Sequence, residues 1–377
     1  MKGTIRLAGT LALAAALGTA APAAAQRHQS HVVHNNETHI ISNHGGGRLE
    51  IRSRGQVEFN DEGDWVVSVP ADGLFTVEES GSGPDRRVEF RPGQDGPRVR
   101  FFVNGGERPL DASGREWARR LIRRAVRENG VGAERRVARI RARSGVSGVL
   151  AEIAELETDL GRRSYYRALL NGGRLSTAEF TRVMDDVGRR MGSDTETRLV
   201  LVDAAAQAGD GTRMASLLRA AGTMESDVET RLVLNHLADR QQLADAAARA
   251  AFFRVAEGMS SDVERRLVLN AVADERPAEG SSREAFFRAV NRMSSDVERR
   301  LVLSRVLDGA SVDATVGALQ SAAAMSSDTE KRLVLMQVPA AHLRNARVTA
   351  AYRRVVDAMR SDTERSLALR RLADGHR

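Results

Sequence analysis

Hydrophobic residues change their spacing once along the chain, from strand-like alternation in residues 48–103 to a helical period from Ser113 onward. In the first region, short β-rich runs such as Val88-Glu89-Phe90 alternate apolar and polar positions and are separated by glycine- and aspartate-containing turns. The runs predicted to be strands are residues 49–51, 56–59, 65–69, 74–77, 87–90 and 99–103. This pattern predicts a small antiparallel β-meander over residues 48–110.

The helical part begins with an arginine-rich junction at residues 111–144. Ser113 and Glu116 have the spacing of a capping box, in which the serine accepts from an early helix N–H and the glutamate reaches back. We expect one helix ending at Glu128 and another over residues 132–143.

The clearest pattern is a repeat of 32 to 35 residues in the helical part. An eleven-residue motif, Met-Gly-Ser-Asp-Thr-Glu-Thr-Arg-Leu-Val-Leu in its first copy, begins at Met191, Met224, Met259, Met293, Met325 and Met359. Residues 156–163 are a degenerate earlier copy, and a second helix with apolar anchors such as Phe252-Phe253 separates the motifs. Self-similarity at this period predicts an α-solenoid of about six to seven helical hairpins over residues 145–377. With the meander, the fold class is α+β.

The polar residues of the motif have helix-capping spacing. The predicted N-caps are Ser193, Ser226, Ser261, Ser295, Ser327 and Ser361. Their predicted capping-box partners are Glu196, Glu229, Glu264, Glu298, Glu330 and Glu364. The intervening aspartate complements the helix dipole, and Asp262 precedes Arg266 by four residues, a spacing that favours an ion pair. Stacking would also align Arg198, Arg231, Arg266, Arg300 and Arg332 in a ladder paired with adjacent acids. These residues are therefore interpreted as structural.

Composition and the N-terminus indicate export. The chain of 377 residues has no cysteine, which excludes a disulfide framework, a thiolate metal site and a cysteine nucleophile. Residues 1–25 have the features of a secretory signal peptide: Lys2 and Arg6, an apolar stretch, and Ala23-Ala24-Ala25. We expect cleavage after Ala25 and a periplasmic or secreted protein. Since such a protein does not meet genomic DNA, no nucleic-acid partner is expected despite the sequence pI near 10.6.

Residues 26–47 are polar and contain five of the eight histidines, and we expect a flexible leader. Three of these histidines, His28, His31 and His34, are candidate ligands for Cu²⁺, Ni²⁺ or Zn²⁺. After cleavage His28 would be the third residue, which suits a square-planar Cu²⁺ or Ni²⁺ site with the free amine. The alternative is a polar leader without metal.

Residues 115–143 contain 11 arginines against three glutamates. The candidate residues for binding an anionic membrane surface are Arg119, Arg120, Arg123, Arg124 and Arg127. The alternative is a solvated helix face whose arginines pair with acids of the repeats.

Two copies of the motif, residues 260–269 and 294–303, share the wording Ser-Ser-Asp-Val-Glu-Arg-Arg-Leu-Val-Leu. This wording resembles repeats in the extracytoplasmic regions of bacterial BlaR-type antirepressor metallopeptidases and of related exported proteins, and residues 117–153 with the preceding strands are also similar. The resemblance implies a role in envelope signalling. None of that family's peptidase chemistry carries over, because the sequence has no His-Glu-x-x-His.

Enzyme motifs are absent from the sequence: it contains no Gly-x-Ser-x-Gly, P-loop, dinucleotide fingerprint or EF-hand loop. Residues 60–64 could hold Ca²⁺, although an acidic hairpin turn explains them better. The sequence therefore predicts an exported, non-enzymatic protein-binding or scaffold protein without a cofactor, whose partner is a protein of the cell envelope. The alternatives are an envelope sensor or regulatory module acting with a membrane partner and, third, a hydrolase without a known motif.

Overall fold

A computed structural model describes residues 29–34, 37–44, 47–81, 83–239, 243, 245–272 and 282–375. It has an antiparallel sheet in the N-terminal part followed by helices, which confirms the predicted fold class. The chain forms two compact units. The first contains the described residues up to Val57 together with Val69–Arg115, and the second contains Glu58–Ser68 and the chain from Glu116 onward.

The first unit is a seven-stranded antiparallel sheet. Its strands are β1 (Gln29–His34), β2 (Glu37–His44), β3 (Gly47–Arg54), β6 (Leu74–Ser80), β7 (Arg86–Arg91), β8 (Arg98–Val103) and β9 (Gly106–Arg108), which neighbour one another in that order. Its core contains a cross-strand row of buried apolar residues: Ile40, Ile51, Val77, Val88 and Phe101 lie opposite one another on five successive strands. The alternation in the sequence therefore places one apolar face toward the core.

Part of the segment that was predicted to be a flexible leader is folded into this sheet. Strand β1 pairs with β2, and β2 pairs with β3 along its whole length. The β-branched pairs Val32-Val33 and Ile40-Ile41 have strand propensity, and Ile40 is completely buried. The predicted signal peptide, residues 1–25, lies outside the described residues.

The two strands β4 (Glu58–Phe59) and β5 (Val66–Ser68) pair only with each other and form a separate hairpin. The sequence analysis assigned these residues to the meander, whereas their contacts group them with the helical unit. The physical reason is that the acids and carbonyl groups of this hairpin accept hydrogen bonds from arginines of the first two helices.

The second unit is mainly helical. Its helices are α1 (Ala112–Asn129, entering from the first unit), α2 (Ala133–Ala154), α3 (Asp159–Asn171), α4 (Thr177–Arg190), α5 (Asp194–Ala205), α6 (Gly211–Ala221), α7 (Asp227–Asp239), α8 (Ala246–Gly258), α9 (Asp262–Ala271), α10 (Arg283–Asn291), α11 (Asp296–Leu307), α12 (Val312–Ala323), α13 (Asp328–Met336), α14 (Ala340–Leu343), α15 (Ala346–Asp357) and α16 (Asp362–Gly375). Helix α2 is interrupted at Gly145, whose φ of 64° and ψ of −166° lie outside the helical region. This glycine coincides with the predicted boundary between the junction and the repeats.

Two sets of helices stack along this unit. The motif helices α3, α5, α7, α9, α11, α13 and α16 each contact the next member of their set. The intervening helices α2, α4, α6, α8, α10, α12 and α15 do the same. Each motif helix thus packs between two neighbours, which explains its buried Val-Leu pairs such as Val268 and Leu269. No helix among the described residues is long and apolar enough to cross a bilayer.

Candidate binding surface of the helical repeat

The serine of each motif occupies the N-cap of its helix. The backbone N–H of the glutamate three residues on donates to the serine Oγ at 3.3 to 3.4 Å. The capped helices begin after Ser193, Ser226, Ser261, Ser295, Ser327 and Ser361. A cap of this kind stabilises a helix by about 1 kcal/mol.

The aspartate that follows the serine bonds to the next repeat. Oδ2 of Asp262 accepts from the backbone N–H groups of Ser294 and Ser295 at 2.8 Å each, and from the Ser294 hydroxyl at 2.8 Å. Equivalent bonds join Asp159, Asp194, Asp227, Asp296 and Asp328 to the turn before the following motif helix. Each bridge therefore fixes two otherwise unpaired backbone donors at a helix start.

Burial raises the pKa of Asp262, but the hydrogen bonds from Ser295 and Ser294 and the charge of Arg265 lower it by more, so the net pKa lies below its usual range. In Asp328 the largest effect is the bond from the Ser361 N–H, which lowers the pKa. Both carboxylates are therefore held in the ionised form that their bridges require.

The motif glutamates make a different contact from the predicted capping-box contact. The N-cap N–H is already bonded to the aspartate of the preceding repeat, so the glutamate carboxylate instead accepts from an arginine of that repeat. The pairs are Arg163–Glu196, Arg198–Glu229, Arg231–Glu264, Arg266–Glu298, Arg300–Glu330 and Arg332–Glu364. The arginine ladder is thus paired with adjacent acids, between repeats.

The predicted ion pair between Asp262 and Arg266 is wrong. Asp262 Oδ1 pairs with Arg265 at 2.7 Å, and Arg266 pairs with Glu298 of the next repeat. Arg265 is only 3% exposed and also donates to the carbonyls of Ala256 and Met259. In this repeat the residue three positions after the aspartate is therefore a buried cation, Arg265, which was not predicted from the sequence.

One position of the motif helix has little part in these contacts. The residue between the aspartate and the glutamate is valine in three successive repeats, and Val228, Val263 and Val297 are 47%, 45% and 47% exposed. We call these three residues the valine row. Leu232, one turn after Val228, is 37% exposed. Because the helices carrying these residues contact one another in order, the valines recur at equivalent positions along the stack, next to the paired charges of Glu229, Glu264 and Glu298.

Several arginines predicted to bind an anionic surface have acidic partners. Arg123 donates to Asp64 at 2.9 Å and Arg124 pairs with Glu128 at 2.9 Å. Arg119 and Arg120 are exposed, and Arg127 is half-buried. These acids come from the β4–β5 hairpin and from α1 itself, whereas the alternative prediction expected acids of the repeats.

The hairpin is held by further bonds to α2. Arg136 donates to the carbonyl of Asp61 at 2.7 Å and pairs with Glu152 at 2.8 Å, while Arg139 and Arg143 pair with the Asp61 carboxylate. Burial raises the pKa of Asp64, but hydrogen bonds from Asn60 and Arg123 outweigh it and lower the pKa. The acids of residues 60–64 are thus directed toward arginines and Asn60, which accounts for the turn without Ca²⁺.

The histidine cluster falls partly outside the described residues. His28 lies there, while the backbones of His31 and His34 belong to β1 and lie opposite Ile40 and Glu37 of β2. His39 bonds to Glu50 at 2.9 Å. Within the described ranges no group of three histidine, aspartate or glutamate side chains is placed to hold a metal ion.

Comparisons of the chain with protein-family models, with curated proteins and with solved structures find no match. The resemblance to BlaR-type extracytoplasmic regions therefore stays a prediction that depends on residues 260–269 and 294–303.

Proposed function

We propose that this protein is a non-enzymatic scaffold of the cell envelope that binds another protein on the exposed face of its motif helices. The observation that carries the proposal is the valine row. Scattered exposed apolar residues are ordinary on a protein surface, but here three exposed valines recur at the same position of successive stacked helices.

The other recurring residues support the proposal by exclusion. The motif serines, aspartates, glutamates and arginines are engaged in caps and inter-repeat bonds, so their recurrence is explained by stability. The valines make no such bond, and in their place Thr195 and Thr329 donate to the neighbouring glutamates Glu229 and Glu364. An exposed apolar position that recurs without a structural contact is a candidate for recognition.

The spacing of the valine row favours a helical partner. Stacked helices lie about 8–10 Å apart, so equivalent valines recur at about that distance. An amphipathic helix presents residues i and i+7 on one face about 10.5 Å apart. A partner helix lying across the motif helices would therefore place one apolar residue against each valine.

The cell-envelope location depends on the signal-peptide features of residues 1–25. The second candidate function is an envelope sensor or regulatory module acting with a membrane partner. The shared wording of residues 260–269 and 294–303 favours this candidate through its resemblance to BlaR-type extracytoplasmic regions. Both candidates require a protein partner, and its identity separates them.

Site-specific photo-crosslinking tests the proposal. A photoreactive phenylalanine analogue is placed at Val263 of the full chain in cells, and the matched control carries it at Val67, which is equally exposed at 45% but lies on the hairpin. We expect a discrete envelope protein crosslinked at Val263 and not at Val67, and lost in the variant Val228→Glu/Val297→Glu. Adducts that are the same at both positions, or that survive this double variant, contradict the proposal.

A further inference from the structure

The repeats differ at the position three residues after the motif aspartate. It is a cation in five copies, Arg162, Arg265, Arg299, Lys331 and Arg365, and threonine in two, Thr197 and Thr230. Where this position is a cation it is strongly buried in the middle of the array: Arg265, Arg299 and Lys331 are 3%, 7% and 3% exposed. The fold therefore has a recurrent place for one buried positive charge, and two repeats lack the side chain that fills it.

Three of the four arginines at this position, Arg162, Arg265 and Arg365, make the same two contacts. Arg162, Arg265 and Arg365 each pair with Oδ1 of the aspartate three residues earlier, at 2.7, 2.7 and 2.8 Å. Arginine at this position also donates to the carbonyl six residues earlier, which belongs to Met259 for Arg265 and to Met293 for Arg299. The guanidinium thus bridges a carboxylate and the last carbonyls of the preceding helix, where the helix dipole favours positive charge.

A cavity of about 330 Å³ lies in the repeat where Thr230 takes this position. It is lined by Ala221, Met224, Asp227 and Thr230, among others. Ala221, Met224 and Asp227 are the counterparts, 35 positions earlier, of Ala256, Met259 and Asp262, the three residues that hold the Arg265 guanidinium. The cavity therefore has the lining of an arginine site without the arginine.

The acceptor in this cavity is the carboxylate of Asp227. Its Oδ2 accepts from Ser260 and Ser261, as in the other bridges. Among the described residues no cation pairs directly with Asp227 Oδ1, although the charge of Arg265 in the next repeat also acts on Asp227, whereas Asp262 Oδ1 pairs directly with Arg265. Thr230 is 4% exposed and too short to reach Oδ1 with a positive charge.

Two arginines also line the cavity, and their effect on a cation must be considered. Arg219 pairs with Asp185 at 3.1 Å in an exposed ion pair, so its repulsion is reduced by that acid and screened by salt. Arg254 is exposed to solvent, where salt screens its repulsion. Asp227 is half-buried, so its attraction for a cation in the cavity is screened less than the repulsion from the exposed Arg219 and Arg254.

We propose that this cavity is a binding site for one guanidinium group, bound between Asp227 Oδ1 and the carbonyls of Ala221 and Met224. The group can belong to a small guanidinium compound or to an arginine side chain of a peptide. The residues that line the cavity include none of the valine row, and the proposal does not require the protein partner proposed above.

The test is a ligand-observed NMR titration of the full mature chain at physiological salt. Ethylguanidinium is the probe for a small guanidinium compound, and N-acetylargininamide is the probe for a peptide arginine. We expect saturable binding to the wild type and to Thr230→Val, which keeps the size of the side chain and the cavity. Binding of ethylguanidinium alone assigns the site to small cations, and binding of both assigns it to arginine side chains as well.

Two variants decide whether the cavity is the site. Thr230→Arg supplies the missing guanidinium, so we expect a higher melting temperature and binding at least about tenfold weaker. Asp227→Asn removes the charge and should weaken binding similarly, whereas Asp262→Asn, the same change in the repeat that Arg265 already fills, should leave probe binding unchanged. No saturable binding to the wild type, or equal binding by the wild type, Thr230→Arg and Asp227→Asn, overturns the proposal.

Discussion

Replacing Asp262 by alanine removes one complete bridge between two repeats. The variant loses three hydrogen bonds to the next turn, from the Ser294 and Ser295 N–H groups and from the Ser294 hydroxyl. It also takes the directly paired carboxylate from Arg265, which is 3% exposed and keeps its two carbonyl contacts and the more distant charge of Asp227. The expected cost therefore combines lost hydrogen bonds with a buried charge left without its counterion.

The magnitude follows from these contacts. Ser294 is exposed and Ser295 half-buried, so water replaces part of what is lost, and about 1 kcal/mol for each bond is appropriate. Removing one partner of a buried ion pair costs about 3–5 kcal/mol. The cost is smaller here because Arg265 keeps its hydrogen bonds to two backbone carbonyls. We expect a total loss of about 3–5 kcal/mol in the free energy of unfolding.

The chain offers a matched control in Asp362, the aspartate of the last motif. Its side chain is 92% exposed and pairs with Arg365 at 2.8 Å, and the described residues contain no following motif turn for it to bridge. Asp362→Ala should therefore leave stability close to that of the wild type. Urea unfolding followed by far-UV circular dichroism compares the two variants by their midpoints, since repeat arrays depart from two-state behaviour. Equal midpoints for Asp262→Ala and Asp362→Ala would refute the account of the bridges.

Three further predictions concern pH, a turn and the hairpin. The pKa values of Asp262 and Asp328 are lowered in the folded chain, so the stability that these carboxylates contribute is complete above their unfolded pKa of about 3.9 and is lost as the pH falls through their folded pKa values. The urea midpoint of unfolding should therefore fall below about pH 4. It should fall less steeply in Asp262→Asn, which lacks one of these carboxylates. Gly63→Ala should destabilise more than Gly105→Ala in thermal unfolding, since both have positive φ (69° and 78°) but a Cβ at Gly63 meets Val126 at 3.3 Å and one at Gly105 meets nothing within 4 Å. Arg123→Ala removes the 2.9 Å pair with Asp64 and should speed hydrogen exchange of the hairpin amides; unchanged exchange would contradict its role in holding β4 and β5.

The features that were predictable from the sequence are those determined within one element. A serine N-cap such as Ser261 can be predicted from the first residues of its own helix. A strand such as β7 can be predicted from the alternation of apolar and polar residues within it. The repeat period predicts which helices stack, because each copy must bury its apolar face against the next. These rules are local or periodic, and the structure agrees with them at the motif serines. The predicted capping box of Ser113 and Glu116 is wrong, because α1 already begins at Ala112 and Asp111 accepts from the Gly114 N–H.

The roles of the charged residues could not be predicted by the same rules. Helical spacing suggests an ion pair between Asp262 and Arg266. The partner of Arg266 is instead Glu298, which lies 32 residues away in the sequence, in the next repeat. Likewise Asp64 and Arg123 are 59 residues apart in the sequence. Competition between a partner on the same helix and one on a neighbouring element is decided by tertiary geometry, and a pattern read along one helix contains no information about it.

The recurring residues of this repeat have structural roles. Positions where one copy differs from the others are therefore the better candidates for a function specific to that copy. The aspartate and glutamate positions vary little because each is bonded across a repeat boundary, and the serine because it caps its own helix, so a change there leaves a donor or a charge unpaired. Thr230 departs at a buried position, and the departure leaves a cavity around Asp227, where a larger side chain would have filled the space. A cavity next to this carboxylate lowers stability relative to the arginine-filled repeat. Filling it with a ligand guanidinium recovers that stability, so binding at Asp227 would stabilise one boundary in the middle of the array.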